Sequence, residues 1–357
     1  MINVKNIFNQ FIKNDSVVSC EKYGNGHINI TYLLKTSSGR TYILQKINTN
    51  IFKDVDMLMN NIGAVTEFLR LKNKETINLF KTVDGKLYAK QNNSFFRMYE
   101  FINKTTTFEK AENLEMVKNA AIAYGKFHED LSAFDGSLLG EVIPHFHDTK
   151  KRYNDFLLSL DKDSCKRAKN CISEIENIKK YADLYSKIVD SIETKEIPLH
   201  VTHNDPKINN ALFDINSHKF RAVIDLDTIM PGSVLYDFGD ALRSLFTGDK
   251  EDSKDYKNVL INFDIYEAYL DGYYKQAKPF LTSKEIELLP FAPFLMTIEC
   301  GMRFLADYLD GDIYFHVDKE EHNLDRARTQ INLANSIINN IEKLKGITME
   351  VIKRYDN

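Results

Sequence analysis

His203-Asn204-Asp205-Pro206-Lys207-Ile208-Asn209-Asn210 sets a histidine, a carboxylate and a carboxamide at the spacing H-x-D-x-x-x-x-N, and a second acidic pair, Asp225 and Asp227, follows in Ile224-Asp225-Leu226-Asp227. Moving a phosphoryl group from ATP to a hydroxyl needs a carboxylate that orients the acceptor and takes its proton. It also needs oxygen ligands that hold a divalent cation on the phosphates. Mg2+ prefers hard oxygen donors and shares its shell with phosphate, so Asp and Asn are the right residue types. The expectation is Asp205 as the catalytic base and Asn210 and Asp225 as metal ligands. Asp227 has two readings, a further metal ligand or a hydrogen-bond partner of the acceptor, and the spacing does not choose between them.

A hairpin gives this spacing its reason. Residues 211–213 and 220–224 read as short strands, with Asn216-Ser217-His218 as the turn. Such a hairpin returns the chain, so residues at its two ends come side by side. The bland alternative is a loop of solvated Asp and Asn, which are common turn formers. A second carboxylate at the far end of the hairpin weighs against it.

The amino-terminal third must supply the nucleotide side. Alternating segments at 17–23, 28–34 and 41–47 read as strands, followed by a helix over 57–71 with Leu58, Ile62, Val65 and Leu69 on one face. Strands return at 79–82, 87–90 and 95–101, with Asp84-Gly85 as a hairpin turn. Gly24-x-Gly26 lies between the first two strands, where glycines let backbone amides approach phosphate, though G-x-G alone is also an ordinary turn. Lys46, on the strand face of Leu44, is expected to reach the phosphates, and Glu67 on the following helix to pair with it. Backbone groups near Tyr99 and Phe101 are expected to read the adenine edge.

Helical patterns dominate beyond residue 108, at 111–131, 148–158, 173–193 and 285–309. The literal string Asp237-Phe238-Gly239 lies twelve residues past Asp225, too far on to be the metal aspartate. Asp237 fits the start of a helix, where a carboxylate caps amides or braces the catalytic loop. His128 reads as a packed or capping residue. Glu299 and Arg303 stand at i, i+4 in an apolar helix, either a plain helix ion pair or a site for polar substrate groups.

Composition narrows the class. The 357-residue chain is long enough for two domains, expected at 1–100 and 101–357, and its net charge of −4 gives no basic footprint for nucleic acid. Four scattered cysteines without a C-x-x-C pair indicate neither a zinc site nor a disulfide framework. The amino terminus lacks an apolar signal core, and the apolar stretch 288–305 carries Glu299 and Arg303 and is too short to span a bilayer. The expectation is a soluble, cytoplasmic protein with no membrane partner; the sequence leaves its oligomeric state open.

Five strings carry a resemblance: G-N-G-H-I-N from Gly24, Y-I-L-Q-K-I-N-T-N-I-F from Tyr42, H-N-D-x-K-x-N-N-x-L-F-D from His203, V-I-D-L-D-T-x-M-P-G from Val223 and Y-D-F-G-D-A-x-R from Tyr236. Together they resemble the N-acetylhexosamine 1-kinases, in the aminoglycoside phosphotransferase and choline kinase group, over residues 23–330. The resemblance implies an α+β, protein kinase-like fold with a small antiparallel-sheet lobe and a large helical lobe. It implies ATP- and Mg2+-dependent phosphorylation of the anomeric hydroxyl of N-acetylglucosamine or N-acetylgalactosamine. Thr228, Arg303 and Tyr314 would be sugar contacts. Two departures from protein kinases stand out: Asn29 occupies the place of their third loop glycine, and no A-P-E string follows Asp225. The competing readings are a choline, homoserine or aminoglycoside kinase of the same fold, and a nucleotide-binding protein without catalysis.

Overall fold

The computed structural model describes residues 3–24, 28–248 and 251–356. The chain forms two compact units. The first comprises Met1–Thr106, Ala133–Pro144 and Leu212–Pro231; the second comprises Thr107–Ser132, His145–Ala211 and Gly232–Asn357.

In the first unit, helix α1 (Val4–Phe11) precedes strands β1 (Val17–Lys22), β2 (Ile30–Thr36) and β3 (Thr41–Lys46), then helix α2 (Val55–Leu71) and strands β4 (Ala89–Gln91) and β5 (Ser94–Glu100). The strands make one antiparallel sheet in the order β1-β2-β3-β5-β4. Side chains alternate between the faces of a strand. One face carries Leu44, Phe96 and Met98, which close on Ile7 and Phe8 of α1 to form a fully buried cluster. Each such buried apolar side chain contributes about 1.5–3 kcal/mol. The opposite face carries Gln45 and Arg97, which are direct cross-strand partners. Helix α1 has no counterpart among the sequence expectations, and the expected strand over 79–82 is reduced to a single bridge between Leu79 and Tyr99.

Helix α2 begins at an Asp54 cap that accepts from the Met57 amide, and it buries Leu58, Ile62, Val65 and Leu69 as the periodicity predicts. Buried among them is Asn61. Its amide nitrogen donates to the carbonyls of Gly140 (2.7 Å) and Ile229 (2.9 Å), and its oxygen accepts from Gly140 N. One carboxamide thus fastens two later segments to α2. Residues 133–144 and 212–231 group with the sheet in the first unit. The second of these contains most of the predicted hairpin, and β6 (Thr105–Thr106) pairs with it.

The second unit is helical. Its helices are α3 (Leu114–Leu131), α4 (Thr149–Lys162), α5 (Ile172–Lys180), α6 (Lys187–Glu193), α7 (Val234–Thr247), α8 (Phe263–Ala277), α9 (Ser283–Leu288), α10 (Ala292–Asp310), α11 (His322–Asn339) and α12 (Ile341–Asp356). Strand β7 (His200–Thr202) leads into the loop of residues 203–210; β8 (Ala211–Asp214) and β9 (Phe220–Val223), next in the chain, lie almost wholly in the first unit. Helices α3 and α8 approach closely through glycines on both: a Cβ at Gly272 would lie 2.6 Å from Lys118 O, and one at Gly125 would lie 2.9 Å from Tyr273 O. Helix α10 is the central rod, buried along nearly its whole length. Among the described residues no helix is long and apolar enough to cross a membrane.

Candidate active site

The loop after β7 is held by its backbone. The amides of His203 and Asn204 donate to the two oxygens of Asp237, both at 2.7 Å. Asp237 also takes His128 Nε2 at 2.8 Å, and the other ring nitrogen of His128 meets the Tyr273 hydroxyl at 2.9 Å. Asp237 and His128 are both buried. Burial pushes the Asp237 carboxyl upward, but His128, His203 and the loop amides outweigh it and hold the group below its ordinary value. Asp237 therefore braces the loop from the first turns of α7, and His128 is a packed residue; both match expectation. A second brace reaches the next carbonyl, where His147 Nε2 meets Asn204 O at 3.3 Å and its Nδ1 meets Glu299 Oε1 at 2.8 Å. Thr149 donates to the other Glu299 oxygen.

With the backbone so held, Asp205 keeps a partly exposed side chain. Lys207 Nζ lies 2.8 Å from its Oδ1, and this carboxylate raises the Lys207 pKa. Asn210 Nδ2 donates to Asp205 O at 2.9 Å and to its Oδ2 at 3.3 Å. Committing the amide nitrogen this way fixes which end of Asn210 is the oxygen, and Oδ1 is left as a hard donor suited to a divalent cation.

The acidic turn lies in the first unit. The hairpin forms as expected, with Asp214 N donating to Lys219 O at 2.8 Å across its turn. Asp225 follows β9 with φ +59° and ψ +53°, a left-handed conformation that aspartate tolerates better than most residues. Its side chain is exposed. Asp227 is the opposite case, 4% exposed, with one oxygen on Arg97 Nη1 and the other on Asn29 Nδ2. Each of its oxygens already meets a protein group, which supports the hydrogen-bonding role for Asp227, while Asp225 presents an exposed carboxylate of the kind a divalent cation takes. Thr228, next in the same turn, is buried.

Other expected residues sit as follows. Gly24 has φ +74° and open space around its α-carbon; Gly26 lies outside the described residues. Lys46 does stand on the face of Leu44, but that face is the one covered by α1, opposite Gln45 and Arg97. Glu67 is exposed and, among the described residues, forms no ion pair with Lys46, because the apolar stripe through Val65 and Leu69 turns position 67 outward. Burial and the nearby charges of Asp225 and Asp227 raise the Tyr99 hydroxyl, although Arg97 works the other way. The amides of Glu100 and Phe101 already donate to Asn78 O and Thr41 O, so these two do not supply free donors for an adenine edge.

Arg303 stacks its guanidinium near three rings, Phe146 (5.4 Å), Phe315 (5.5 Å) and Tyr314 (5.9 Å). It is not paired to Glu299 as the i, i+4 spacing allowed, since Glu299 is spent on His147 and Thr149. Tyr314 is 60% exposed, and its loop is gathered by Asp307, which accepts from the amides of Ile313, Tyr314 and Phe315. Arg152 donates twice to Phe146 O, and burial with the charge of Arg303 lowers its pKa. Sequence reasoning missed Arg97, Lys207, His147 and Asp307. A charge inside an otherwise apolar strand was the available signal for Arg97.

The family model described as the phosphotransferase enzyme family matches residues 19–271. Among solved structures, the chain is similar to an aminoglycoside phosphotransferase from Alicyclobacillus acidocaldarius, with 12% identity, TM-score 0.62, and 98% of this chain and 97% of that one covered. It is similar to an amicoumacin kinase solved with AMP-PNP, Ca2+ and its antibiotic, with 12% identity, TM-score 0.60 and 89% of each chain covered. It is also similar to a microcompartment-associated aminopropanol kinase, with 13% identity, TM-score 0.58, and 96% of this chain and 97% of that one covered. At such identities the likeness is one of fold, and the antiparallel-sheet unit and helical unit are those of the α+β, kinase-like fold expected.

Proposed function

The chain belongs to the phosphotransferase enzyme family and is a small-molecule kinase of that family; from that premise we propose that it transfers the γ-phosphoryl group of ATP to the anomeric hydroxyl of an N-acetylhexosamine. Asp205 orients the hydroxyl and accepts its proton, and Lys207, paired to Asp205 in the free protein, is released toward the transferring phosphoryl group. Asn210 offers an amide oxygen and Asp225 a carboxylate of the kind that would hold Mg2+, which when bound offsets charge on the phosphates. The braces at Asp237 and His147 keep the Asp205 backbone from drifting as the acceptor enters.

The observation that carries the sugar reading is the setting of Arg303. A guanidinium among Phe146, Phe315 and exposed Tyr314, with Arg152 close by, suits a neutral acceptor offering hydroxyl and amide oxygens. Two arginines disfavour an acceptor that carries its own ammonium groups. The second reading, a kinase for an amino alcohol or aminoglycoside, is supported by the names of the similar structures, aminopropanol kinase and aminoglycoside phosphotransferase. Incubation with ATP, Mg2+ and a panel of free sugars and amino alcohols separates the two. Sugar 1-phosphate from N-acetylglucosamine or N-acetylgalactosamine supports the first, and turnover confined to amino alcohols replaces it with the second. Arg303→Ala should raise the sugar KM about tenfold or more with ATP KM within about twofold; equal changes in both would remove Arg303 from the acceptor site.

A further inference from the structure

Kinase-fold enzymes place a lysine on the third strand against the nucleotide phosphates and fix it with a glutamate from the adjacent helix. Neither part of that device is present here. Gln45 is the β3 residue on the face that looks toward the acidic turn, and Lys46 leaves the strand on the α1 side. Glu67 points to solvent. The cation on the inward face comes instead from the neighbouring strand: Arg97 of β5, directly across from Gln45 and only 2% exposed.

Arg97 is held as a placed fork. Its Nε donates to Gln45 Oε1 at 2.8 Å, and Gln45 is itself fixed by Nε2 donating to Thr31 Oγ1 at 3.0 Å. Its Nη1 grips Asp227. A guanidinium has five N–H donors, so three stay available for an anion. Asp227 is steadied from its other side by Asn29, whose oxygen accepts from Asn48 N at 3.0 Å. Asn29 directly precedes β2, so the same carboxylate ties both the start of that strand and the arginine to the turn bearing Asp225. Burial works against the charge on Arg97, but Asp227, with Asp225 beyond it, more than compensates and holds the guanidinium charged.

We propose that Arg97, oriented by Gln45 and Asp227, is the strand-borne cation that meets the phosphates of the bound nucleotide, in place of a β3 lysine. Asp227 is its positioning counter-ion, not a metal ligand. The inference rests on the kinase reading above. An arginine here is insensitive to pH and offers planar, two-pronged contact to phosphate oxygens.

The test measures equilibrium binding of an ATP analogue with Mg2+, by calorimetry, beside steady-state kinetics. Arg97→Met should weaken nucleotide binding about tenfold to a hundredfold and leave the acceptor KM within about twofold. The double change Gln45→Lys with Arg97→Met returns the cation to β3 and should recover part of that loss. Lys46→Ala should bind as wild type. Since removing Arg97 leaves Asp227 buried without its partner, Arg97→Met is compared with Arg97→Lys, which keeps the charge. A merely structural arginine would lower thermal stability in both without changing nucleotide affinity in the folded fraction. Unchanged affinity in Arg97→Met, or a loss in Lys46→Ala as large as that in Arg97→Met, overturns the assignment. Wild-type protein that binds no Mg-nucleotide sinks the kinase reading itself, a separate outcome.

Discussion

The catalytic loop and the acidic turn use aspartate in opposite ways. In the loop, buried Asp237 grips two backbone amides, and the neighbouring Asp205 side chain stays partly exposed beside Lys207 and Asn210. In the turn, buried Asp227 is itself gripped by two side chains, Arg97 and Asn29, and Asp225 is the exposed member. Each segment therefore pairs a buried, fully engaged carboxylate with a nearby one that is more exposed. The engaged member is bound by main chain in one case and by a cation in the other. Holding a backbone fixes where an atom sits; holding a cation keeps a charge ready for a partner.

The sharpest break in the comparison is at the more exposed member of the loop. Asp205→Asn keeps the hydrogen-bonding shape of the loop but removes the proton acceptor. Turnover should fall by about 10²–10⁴-fold, with nucleotide affinity within a few-fold of wild type. Initial rates with saturating ATP and acceptor, beside calorimetric nucleotide binding, check this. Turnover within tenfold of wild type would transfer the base role to another group.

Asp237→Asn comes next. It halves the acceptor capacity that serves two amides and His128 in a buried site, and a broken buried network of this kind costs about 3–5 kcal/mol. Denaturant unfolding should show that loss, and turnover should drop through displacement of Asp205 while both KM values change little. A pH arm sharpens it. Asp237 and Glu299 both have folded-state pKa values below their ordinary ones. Their stabilisation is therefore complete above the unfolded carboxyl range, about 4, and is lost as pH falls through the still lower folded values. Wild type should lose stability steeply below about pH 4, and Asp237→Asn should lose less over that same interval. Parallel acid curves for the two proteins would show that Asp237 is not a source of the acid sensitivity.

The difference between the segments also explains what the sequence made legible. The loop and hairpin are local: Asp205, Asn210 and Asp225 lie at fixed spacings around a short strand pair, and β8 and β9 form where alternation placed them. Strand parity was legible too, since Lys46 does share a face with Leu44. Which face looks inward was not, because that depends on α1 covering the Leu44 side; the helix itself is marked by Val4, Ile7, Phe8 and Phe11 behind an Asn3 cap, but nothing local says which face of the sheet it meets. The apolar stripe of α2 already excluded Glu67 from the buried face, and that conflict was visible in the letters. Asn61 on the same helix gave no sign that it would gather residues 133–144 and 212–231, because its partners are carbonyls brought near only by the fold.

The smallest effect should come from Asn29→Ala. It removes one of the two grips on Asp227 and leaves the stronger, charged one in place. A neutral hydrogen bond contributes about 0.5–1.5 kcal/mol net, or about a threefold to tenfold change. The start of β2 that Asn29 fastens should loosen, so nucleotide KM should rise within that range while turnover at saturation and acceptor KM stay near wild type. Adding Asn29→Ala to Arg97→Lys tests whether both residues act through the one carboxylate. Their combined loss should differ from the sum of the single losses, since both variants disturb Asp227. Strict additivity would mean that Asn29 serves the start of β2 through Asn48 alone, and that Asp227 answers to a single partner.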